Sequence, residues 1–480
     1  MHREIELGER RRGAGKTREY TMRRLGRAVS GAAVAALAFA MAPVAHAQEK
    51  YRPPVSELEV FIAEPMPAGF GVQHTDVDGP VFVDAKGMTL YKWPLKDLRN
   101  GDTGDRKAKE PFCAGVKYTE NSGLMSPYPP GLVLPELDTR PTCEQIWPPV
   151  KAAADAKEVG KWTILTRHDG SKQWAHDGMP VYNSILDKVP GQVFGATARE
   201  TANDAPALRE PAAPKSNVPP AFNVKTVATG RLLVNHVGFS VYTWDKDQAN
   251  KSNCYNDCLK DWTPVQAPQT ATAQGEWGII ERAPGIKQWT FRSKPVYTRV
   301  QDRRFRSMEG SDISGWHNVY TQKNVEPPKG MFTVQDARIG QVLADSTGKT
   351  IYVYNCADDA LDQLYCDHPD SPQVYRMAIC GGNDAARCVK TFPYVIAPVG
   401  AKTGNMIWGT MWIDPITGKR AQANQQGALH VWTFRDRPIY THAGDVKPGD
   451  TNADAWGEFN GYRNGFKAFW LRDDFLDNVS

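Results

Sequence analysis

The chain lacks the short signatures that mark most catalytic sites. It contains no Gly-x-Ser-x-Gly, His-Glu-x-x-His, Gly-x-Gly-x-x-Gly or phosphate-loop sequence, and no Cys-x-x-Cys-His for covalent haem. The absences remove the sequence evidence for a hydrolase elbow, a zinc-protease helix, a nucleotide site and c-type haem. They leave open an enzyme whose catalytic groups converge from distant positions.

Long apolar runs are also missing after residue 47, so no later segment is predicted to cross a membrane. Before it, Arg23, Arg24 and Arg27 precede an alanine-rich apolar run over 28–43, and Ala45-His46-Ala47 has the form that a signal peptidase cuts. We therefore predict that residues 1–47 are a signal peptide and that the mature, soluble protein begins near Gln48.

The first 21 residues contribute nothing that a signal peptide needs, and translation from Met22 would give a signal of ordinary length. No cysteine lies near the predicted cleavage site, which argues against a lipid anchor. The arginine pair matches a twin-arginine signal only loosely, so both export routes stay open, with general secretion favoured.

The mature chain has little net charge of either sign. Removing the nine basic and four acidic residues of 1–47 leaves 49 basic and 50 acidic residues. This balance gives no indication of nucleic acid or an anionic membrane as a partner. We expect a protein or small-molecule partner in the periplasm or outside the cell.

Cysteine is scarce but even in number, and every cysteine follows the leader, which predicts disulfides in an oxidising compartment. The eight residues are Cys113, Cys143, Cys254, Cys258, Cys356, Cys366, Cys380 and Cys388. They divide into sets of two, two and four along the chain, so pairing within each set accounts for all of them. Pairing within the last set is open, although Cys380 and Cys388 occupy the place of the pair in the other two.

Three segments share one opening pattern, at 81–91, 233–242 and 342–352. Each places Asp or Asn three residues before a glycine, between β-branched and aromatic residues in alternation. This pattern predicts a hairpin with a type I turn and a left-handed glycine. The three glycines are Gly87, Gly238 and Gly348.

Aromatic residues recur at fixed intervals in the second half of each segment. A Trp precedes a tyrosine by eight residues three times, at Trp174 and Tyr182, Trp289 and Tyr297, and Trp432 and Tyr440. An acidic residue follows each of these tyrosines by five, at Asp187, Asp302 and Asp445. Because these features repeat, we interpret the rings as cores of small domains rather than sugar platforms, and the aspartates as turn caps rather than cation ligands.

The second copy has the sequence Tyr242-Thr243-Trp244-Asp245-Lys246-Asp247, followed by Cys254, Cys258 and Trp262. It resembles the bacterial secreted-repeat family defined by a Tyr-x-(Phe/Trp/Tyr)-x-x-Asp motif, whose members are often lipoproteins. The first copy departs from the motif, with Asp97 one residue late, and the third has Cys356 near the expected Asp. The resemblance implies export and a small β-rich module, and it brings no established activity.

These observations predict an all-β fold of three tandem antiparallel β modules with disulfides, and the alternative is a propeller-like closure of six half-repeats. The predicted divisions are a signal peptide at 1–47, an N-terminal extension at 48–78, a first repeat at 79–199, a Pro-rich linker at 200–223, a second repeat at 224–322, a linker at 323–333 and a third repeat at 334–480. The N-terminal extension is read as either an added strand or a tail.

The third repeat is the predicted place of function because it departs from the pattern. Its interval between tryptophans grows from twelve to twenty-four, which adds Trp412 and Asp414 near Trp408. These three residues are the candidate ligand-binding residues. A nearby acidic loop resembles the start of a calcium loop without its glycine and final glutamate, and its candidate ligands are Asp445, Asp450, Asn452 and Asp454.

Two functions are carried forward. The first is a non-catalytic exported protein that binds a partner or has a structural role, and the second is an extracytoplasmic enzyme or redox accessory with its site in the third repeat. No cofactor is predicted apart from the calcium candidate. A pocket that gathers Trp408, Trp412, Asp414 and Asp445 with a histidine would favour the enzyme, whereas scattered positions would favour binding.

Overall fold

The structure, a computed structural model, describes residues 51–92, 113, 125–127, 130–133, 143–167, 169–196, 210–356, 367–371, 373–454, 456–457 and 464–475. Short antiparallel sheets dominate these residues, and the longest helix in them has eight residues. The predicted all-β class is confirmed. The described sheets contain between two and six strands and are not six equivalent blades.

The strands follow the three repeats in order. The first repeat, the segment before it and the predicted linker at 200–223 contain β1 (Gly71–His74), β2 (Pro80–Val83), β3 (Tyr91–Lys92), β4 (Met125–Pro127), β5 (Pro130–Val133), α1 (Cys143–Ile146), β6 (Trp162–Thr166), β7 (Lys172–His176), β8 (Met179–Tyr182) and β9 (Glu210–Pro211). The last of these, β9, belongs to the linker and pairs with β3 of the first repeat.

The second repeat contains β10 (Phe222–Val227), β11 (Gly230–Asn235), β12 (Tyr242–Trp244), α2 (Cys258–Asp261), β13 (Trp262–Pro264), β14 (Gln266–Ala267), β15 (Trp277–Ala283), β16 (Ile286–Phe291), β17 (Lys294–Pro295), β18 (Tyr297–Arg299), a 3-10 helix (Glu309–Asp312), β19 (Trp316–Asn318) and β20 (Tyr320–Lys323).

The third repeat contains β21 (Phe332–Ala337), β22 (Gly340–Asp345), β23 (Tyr352–Cys356), α3 (Val374–Gly381), α4 (Ala385–Thr391), β24 (Trp408–Ile413), β25 (Leu429–Phe434), β26 (Arg437–Tyr440), β27 (Trp456–Gly457), β28 (Asn464–Ala468) and β29 (Trp470–Arg472).

The predicted hairpin turn is present in all three repeats. In the second, the side-chain oxygen of Asn235 accepts hydrogen bonds from three successive backbone amides, and Gly238 adopts a φ of +121°. Asp84 and Asp345 accept equivalent amide bonds, and their glycines also have positive φ. The turn therefore forms because a short polar side chain holds it and a glycine tolerates the left-handed backbone.

A second sheet places the repeated tyrosines opposite each other. Tyr91 pairs with Tyr182, Tyr242 with Tyr297, and Tyr352 with Tyr440, always between antiparallel strands. The first tyrosine of each pair comes from the opening half of the repeat and the second from the closing half. The two halves of each repeat thus pair edge to edge within one sheet, at equivalent residues.

The predicted aromatic cores are observed. A phenylalanine shortly before each predicted repeat contacts the first of the two spaced tryptophans, with ring centroids 4.5–5.2 Å apart. The pairs are Phe70 and Trp162, Phe222 and Trp277, and Phe332 and Trp408. Since Phe70 directly precedes β1, and β1 pairs with β2, the end of the predicted N-terminal extension supplies the opening strand of the first repeat.

The segment before the first repeat also contacts the other two. Buried Glu59 binds Arg231 of the second repeat at 2.8 Å and accepts a hydrogen bond from Thr321. Asp78 binds Arg435 of the third repeat at 3.0 Å, and both side chains are buried. Charges removed from water in this way need their partners, so the segment fixes the repeats to each other.

Candidate functional site

The most regular polar feature of the molecule is a buried tyrosine–aspartate pair in each repeat. The first tyrosine donates its hydroxyl hydrogen to the aspartate that follows the second tyrosine, at 2.7–2.8 Å. The pairs are Tyr91 and Asp187, Tyr242 and Asp302, and Tyr352 and Asp445. The predicted acidic residue is therefore an internal partner of the other half of its repeat.

Two of these aspartates also hold the loop that follows them. The other carboxylate oxygen of Asp187 accepts the amide of Phe194 at 2.7 Å, and that of Asp445 accepts the amide of Asn452 at 3.0 Å. Each bond spans seven residues. The observation supports the turn-capping interpretation for these two repeats.

Burial shifts the proton equilibria of these pairs. It raises the pKa of Asp187 to about 7, although hydrogen bonds from Tyr91 and two backbone amides act in the opposite direction. Burial also raises the pKa of Asp302 to about 6, against the hydroxyl of Tyr242 and the charge of Arg299. Burial therefore disfavours the charged form of these two carboxyls.

Sequence reasoning missed an arginine–glutamine unit beneath the second tyrosine. Arg167 donates to Gln173 at 2.5 Å, and Arg282 donates to Gln288 at 2.8 Å. Each arginine also donates to the carbonyl of a disulfide cysteine, Cys113 or Cys254. The signal was present, because both arginines precede by six residues the glutamine that stands before the repeated tryptophan.

The third repeat fills the same place from a different element. Arg376, on α3, is fully buried, and its guanidinium carbon lies 5.7 Å from the ring centroid of Tyr440 and 5.8 Å from that of Tyr394. Its Nε donates to Gln373 at 2.8 Å. The helical insertion therefore supplies a cation that the strands of the other repeats supply themselves.

The candidate ligand residues of the third repeat have different surroundings. Trp408 is 3% exposed and packs against Phe332, Phe434 and Phe469 in the core. Trp412, four residues along the same strand, is half-buried and stacks on His430 with centroids 4.9 Å apart. Only the second ring is open to a ligand.

Asp414 begins the loop that lengthens this hairpin. Its side chain accepts the amide of Ile416 at 2.8 Å and the side-chain amide of Gln425 at 3.0 Å, so it ties the two ends of the loop together. Arg420, in the same loop, binds Asp370 and Asp436. The hydrogen bonds from His368 and Arg420 lower the pKa of Asp436 despite the opposing effect of its burial.

The residues of the calcium candidate each have hydrogen-bond partners within the protein. Asp450 accepts the amides of Val446 and Lys447, and Asp454 accepts the amide of Ala468 and the indole of Trp470. The side-chain amide of Asn452 donates to the carbonyl of Gly444. Across the described residues no group of three or more His, Cys, Asp and Glu side chains is arranged to hold a metal, and calcium binding stays a prediction.

Two predicted disulfides are present, Cys254–Cys258 and Cys380–Cys388. The second confirms that this pair occupies the same place in the third repeat. Cys113 is also in a disulfide. The side chains of Cys143, Cys356 and Cys366 lie outside the described residues, so their pairing stays a prediction.

The structure does not bring the candidate residues into one site. No hydrogen bond, ion pair or ring contact of the described residues joins Asp445 to Trp408, Trp412 or Asp414. In this described part, no helix is long and apolar enough to span a bilayer. Trp408 and Asp445 are buried, whereas Trp412 and Asp414 lie on the partly exposed hairpin.

A family model for secreted repeats of unknown function matches residues 163–200 and 223–266. The matches lie in the first and second repeats, and the second includes the complete motif around Tyr242. No curated protein and no solved structure matches the chain. The predicted resemblance to a secreted-repeat family is confirmed, and it supports an exported protein of this repeat type whose role the family does not define.

Proposed function

We propose that this chain is an exported, non-catalytic repeat protein that binds a partner or ligand on the surface of its third repeat. One observation carries the proposal. The groups that recur have partners inside each repeat, because each tyrosine bonds its aspartate and the first of the spaced tryptophans packs on a phenylalanine. The fold therefore uses the repeated groups, and the residues of the third repeat that depart from the pattern are the candidates for recognition.

The binding surface that we propose consists of Trp412, Asp414, His430, Ile396 and Val399. Ile396 and Val399 are 58% and 84% exposed. A bridge pairs Ile396 with the strand that carries His430, and the His430 ring bonds the carbonyl of Ala397 at 3.0 Å. An aromatic ring with exposed aliphatic neighbours and a polar loop is typical of recognition surfaces.

The arrangement supports binding over the alternative of an extracytoplasmic enzyme or redox accessory. Trp408 supports the surface from the core, and Asp445 is engaged by the hydroxyl of Tyr352 inside the repeat. A catalytic site would need these groups to converge with a histidine. The only ring contact of Trp412 among the described residues is with His430, on the outer part of the hairpin.

The test is to purify the mature protein from its native compartment and to identify what accompanies it by mass spectrometry and metal analysis. We expect a protein or small molecule that is lost from Trp412→Ala and retained by Ile286→Ala, an exposed residue of the second repeat. A stoichiometric metal or cofactor retained by both variants would overturn the proposal.

The same preparation tests export and organisation. We propose a periplasmic or secreted protein, cleaved after Ala47, with repeats at 79–199, 224–322 and 334–480. N-terminal sequencing should begin at Gln48. A mature protein that still contains Met22 would contradict the cleavage.

A further inference from the structure

The arginine beneath the second tyrosine has a different electrostatic environment in each repeat. In the first repeat Arg167 forms an ion pair with Glu144, and in the second Arg282 is partly exposed, so water solvates its charge. In the third repeat Arg376 is 2% exposed, and no carboxylate in the ranges that the structure describes forms an ion pair with it. A buried cation without a counter-ion is destabilising. An anion that formed beside Arg376 would therefore be strongly favoured.

The guanidinium of Arg376 points at a disulfide sulfur. Its Nη1 donates to Sγ of Cys388 at 3.5 Å, and Cys388 is bonded to Cys380, so the bond joins α4 to α3. The second repeat differs, because Arg282 donates to the main-chain carbonyl of Cys254. The third repeat thus places its cation against the sulfur itself.

The guanidinium is held in this position on its other sides. Nε donates to Gln373 at 2.8 Å, and Nη2 lies 3.5 Å from Sδ of Met377. Gly418, in the lengthened hairpin loop, lies against the same guanidinium, and a side chain there would collide with it. A cation that is fixed in advance needs no reorganisation to stabilise a negative charge that appears beside it.

We infer that Cys380–Cys388 is a redox-active disulfide that a dithiol opens, with Cys388 leaving as a thiolate paired with Arg376. A thiolate of the dithiol attacks Sγ of Cys380 and forms a mixed disulfide as the Cys380–Cys388 bond breaks. The second sulfur of the dithiol then displaces Cys380, and the dithiol leaves as a disulfide. Its two electrons stay on the protein, one of its protons goes to Cys380 and the other goes to water.

Arg376 should make this disulfide easier to reduce. A thiolate beside a cation is stabilised, so the arginine favours the reduced state. A disulfide whose reduced state is stabilised has a higher reduction potential and is a stronger oxidant of thiols. The inference goes beyond the binding function that we propose, because it involves neither Trp412 nor its neighbours on the surface.

The third-repeat disulfide is buried but lies next to an exposed turn. Cys380 is 4% exposed and Cys388 is 1% exposed, whereas the residues 382–384 that join α3 to α4 are all exposed. Opening of this turn gives a dithiol access to the sulfur of Cys380. Burial therefore slows the exchange and leaves its equilibrium unchanged.

The experiment is equilibration of the mature protein in dithiothreitol redox buffers of graded potential. Acid quenching, alkylation and peptide mass spectrometry then read the third-repeat disulfide and Cys254–Cys258 separately. We expect Arg376→Met to lower the equilibrium constant for reduction of the third-repeat disulfide by about tenfold, which is about 30 mV in reduction potential. In the same samples Cys254–Cys258 should change by less than about twofold.

The matched control is Arg282→Met, because this arginine donates to a carbonyl and not to a disulfide sulfur. It should leave the reduction of Cys254–Cys258 within about twofold of that in the natural protein. Arg376→Lys keeps a charge at the third-repeat site and should retain part of the effect of the arginine.

A second measurement is independent of any arginine variant. In Cys380→Ser the free thiol of this pair is Cys388, and its ultraviolet thiolate absorbance should titrate below the value of about 8.5 for an unperturbed thiol. Cys254→Ser provides the reference, since the thiol of Cys258 should titrate at a higher pH. This titration decides the question if Arg376→Met does not fold.

Two results would overturn the inference. The first is an unchanged reduction equilibrium of the third-repeat disulfide in a folded Arg376→Met variant. The second is a Cys388 thiol that titrates at or above the pH of the Cys258 thiol, because burial would then outweigh the charge of the arginine.

Discussion

The second and third repeats stack rings at the same place with different residues. Trp262 and Trp316 lie 3.6 Å apart with planes 5° from parallel, whereas Phe392 and Phe466 lie 3.6 Å apart with planes 8° from parallel. The geometry is kept although the chemistry changes from indole to phenyl. These positions therefore require a flat apolar ring, and the fold does not require the indole nitrogen.

Removing one ring from each stack should give the largest effect. We expect Trp262→Ala and Phe392→Ala each to lower the free energy of unfolding by about 3–5 kcal/mol, because each leaves a cavity beside a buried partner. Guanidinium unfolding measures the loss, with Trp262→Phe as the matched control at a smaller loss. A Trp262→Ala variant as stable as the natural protein would contradict the claim that this position requires a stacked ring.

The hairpin turns of the two repeats differ in the burial of their arginines. Arg292 and Arg435 both adopt a left-handed backbone, and each binds a carboxylate of the N-terminal segment, Glu57 or Asp78. The pair of Arg435 is buried and that of Arg292 is partly exposed. We expect Arg435→Ala to lower the free energy of unfolding by about 3–5 kcal/mol and Arg292→Ala by about 1.

Chemical unfolding of both arginine variants under one set of conditions gives the comparison. Arg435→Ala combined with Asp78→Asn should recover part of the loss, because the unpaired charge is gone. Equal losses in the two single variants would show that burial does not set the strength of these pairs.

The first and second repeats should also differ in how their stability depends on pH. The pKa of Asp187 rises from 3.8 to about 7 on folding, and that of Asp302 to about 6. Each raised pKa gives stability that is complete below about pH 4 and is lost as pH rises, through about pH 7 for Asp187 and pH 6 for Asp302. The loss for Asp187 is about 4 kcal/mol at most.

Thermal unfolding across this range, with Asp187→Asn and Asp302→Asn, measures each contribution. The stability difference between the natural protein and each variant should shrink as pH rises through the stated window. Asp345→Asn is the control for loss of a turn carboxyl, since the second repeat has Asn235 at that turn. A difference that grows with pH would show that these carboxyls are charged in the folded protein.

The tyrosine hydroxyls should have a smaller effect. Tyr242→Phe and Tyr352→Phe each remove the donor to a buried aspartate, and we expect a loss of about 1–3 kcal/mol in chemical unfolding. The single hydroxyl hydrogen of Tyr242 is shared between Asp302 and the carbonyl of Ser307, and the hydroxyl of Tyr352 also accepts the amide of Ala453, so we expect similar losses. A neutral effect in both would mean that water replaces the hydroxyl.

The loop of the third-repeat insertion should be the least sensitive position. Asp414→Ala removes three amide contacts at a half-buried turn, and we expect a loss of about 0.5–1 kcal/mol. Asp414→Asn keeps an acceptor and is the control. A loss as large as that of the ring variants would place this loop in the core of the repeat.

The all-β class, the hairpins and the aromatic cores could be predicted because they depend on local patterns. The roles of turn glycines such as Gly238 and of spaced rings such as Trp277 and Trp289 can be recognised from their regular spacing and their repetition. The partners of Tyr242 and Asp302 could not be assigned, because sixty residues separate them and only the folded register joins them.

The salt bridge between Asp78 and Arg435 joins residues 357 positions apart. Because synthesis runs from the amino end, Asp78 is made long before Arg435. The opening repeat therefore completes its native surroundings only after the closing repeat has been made.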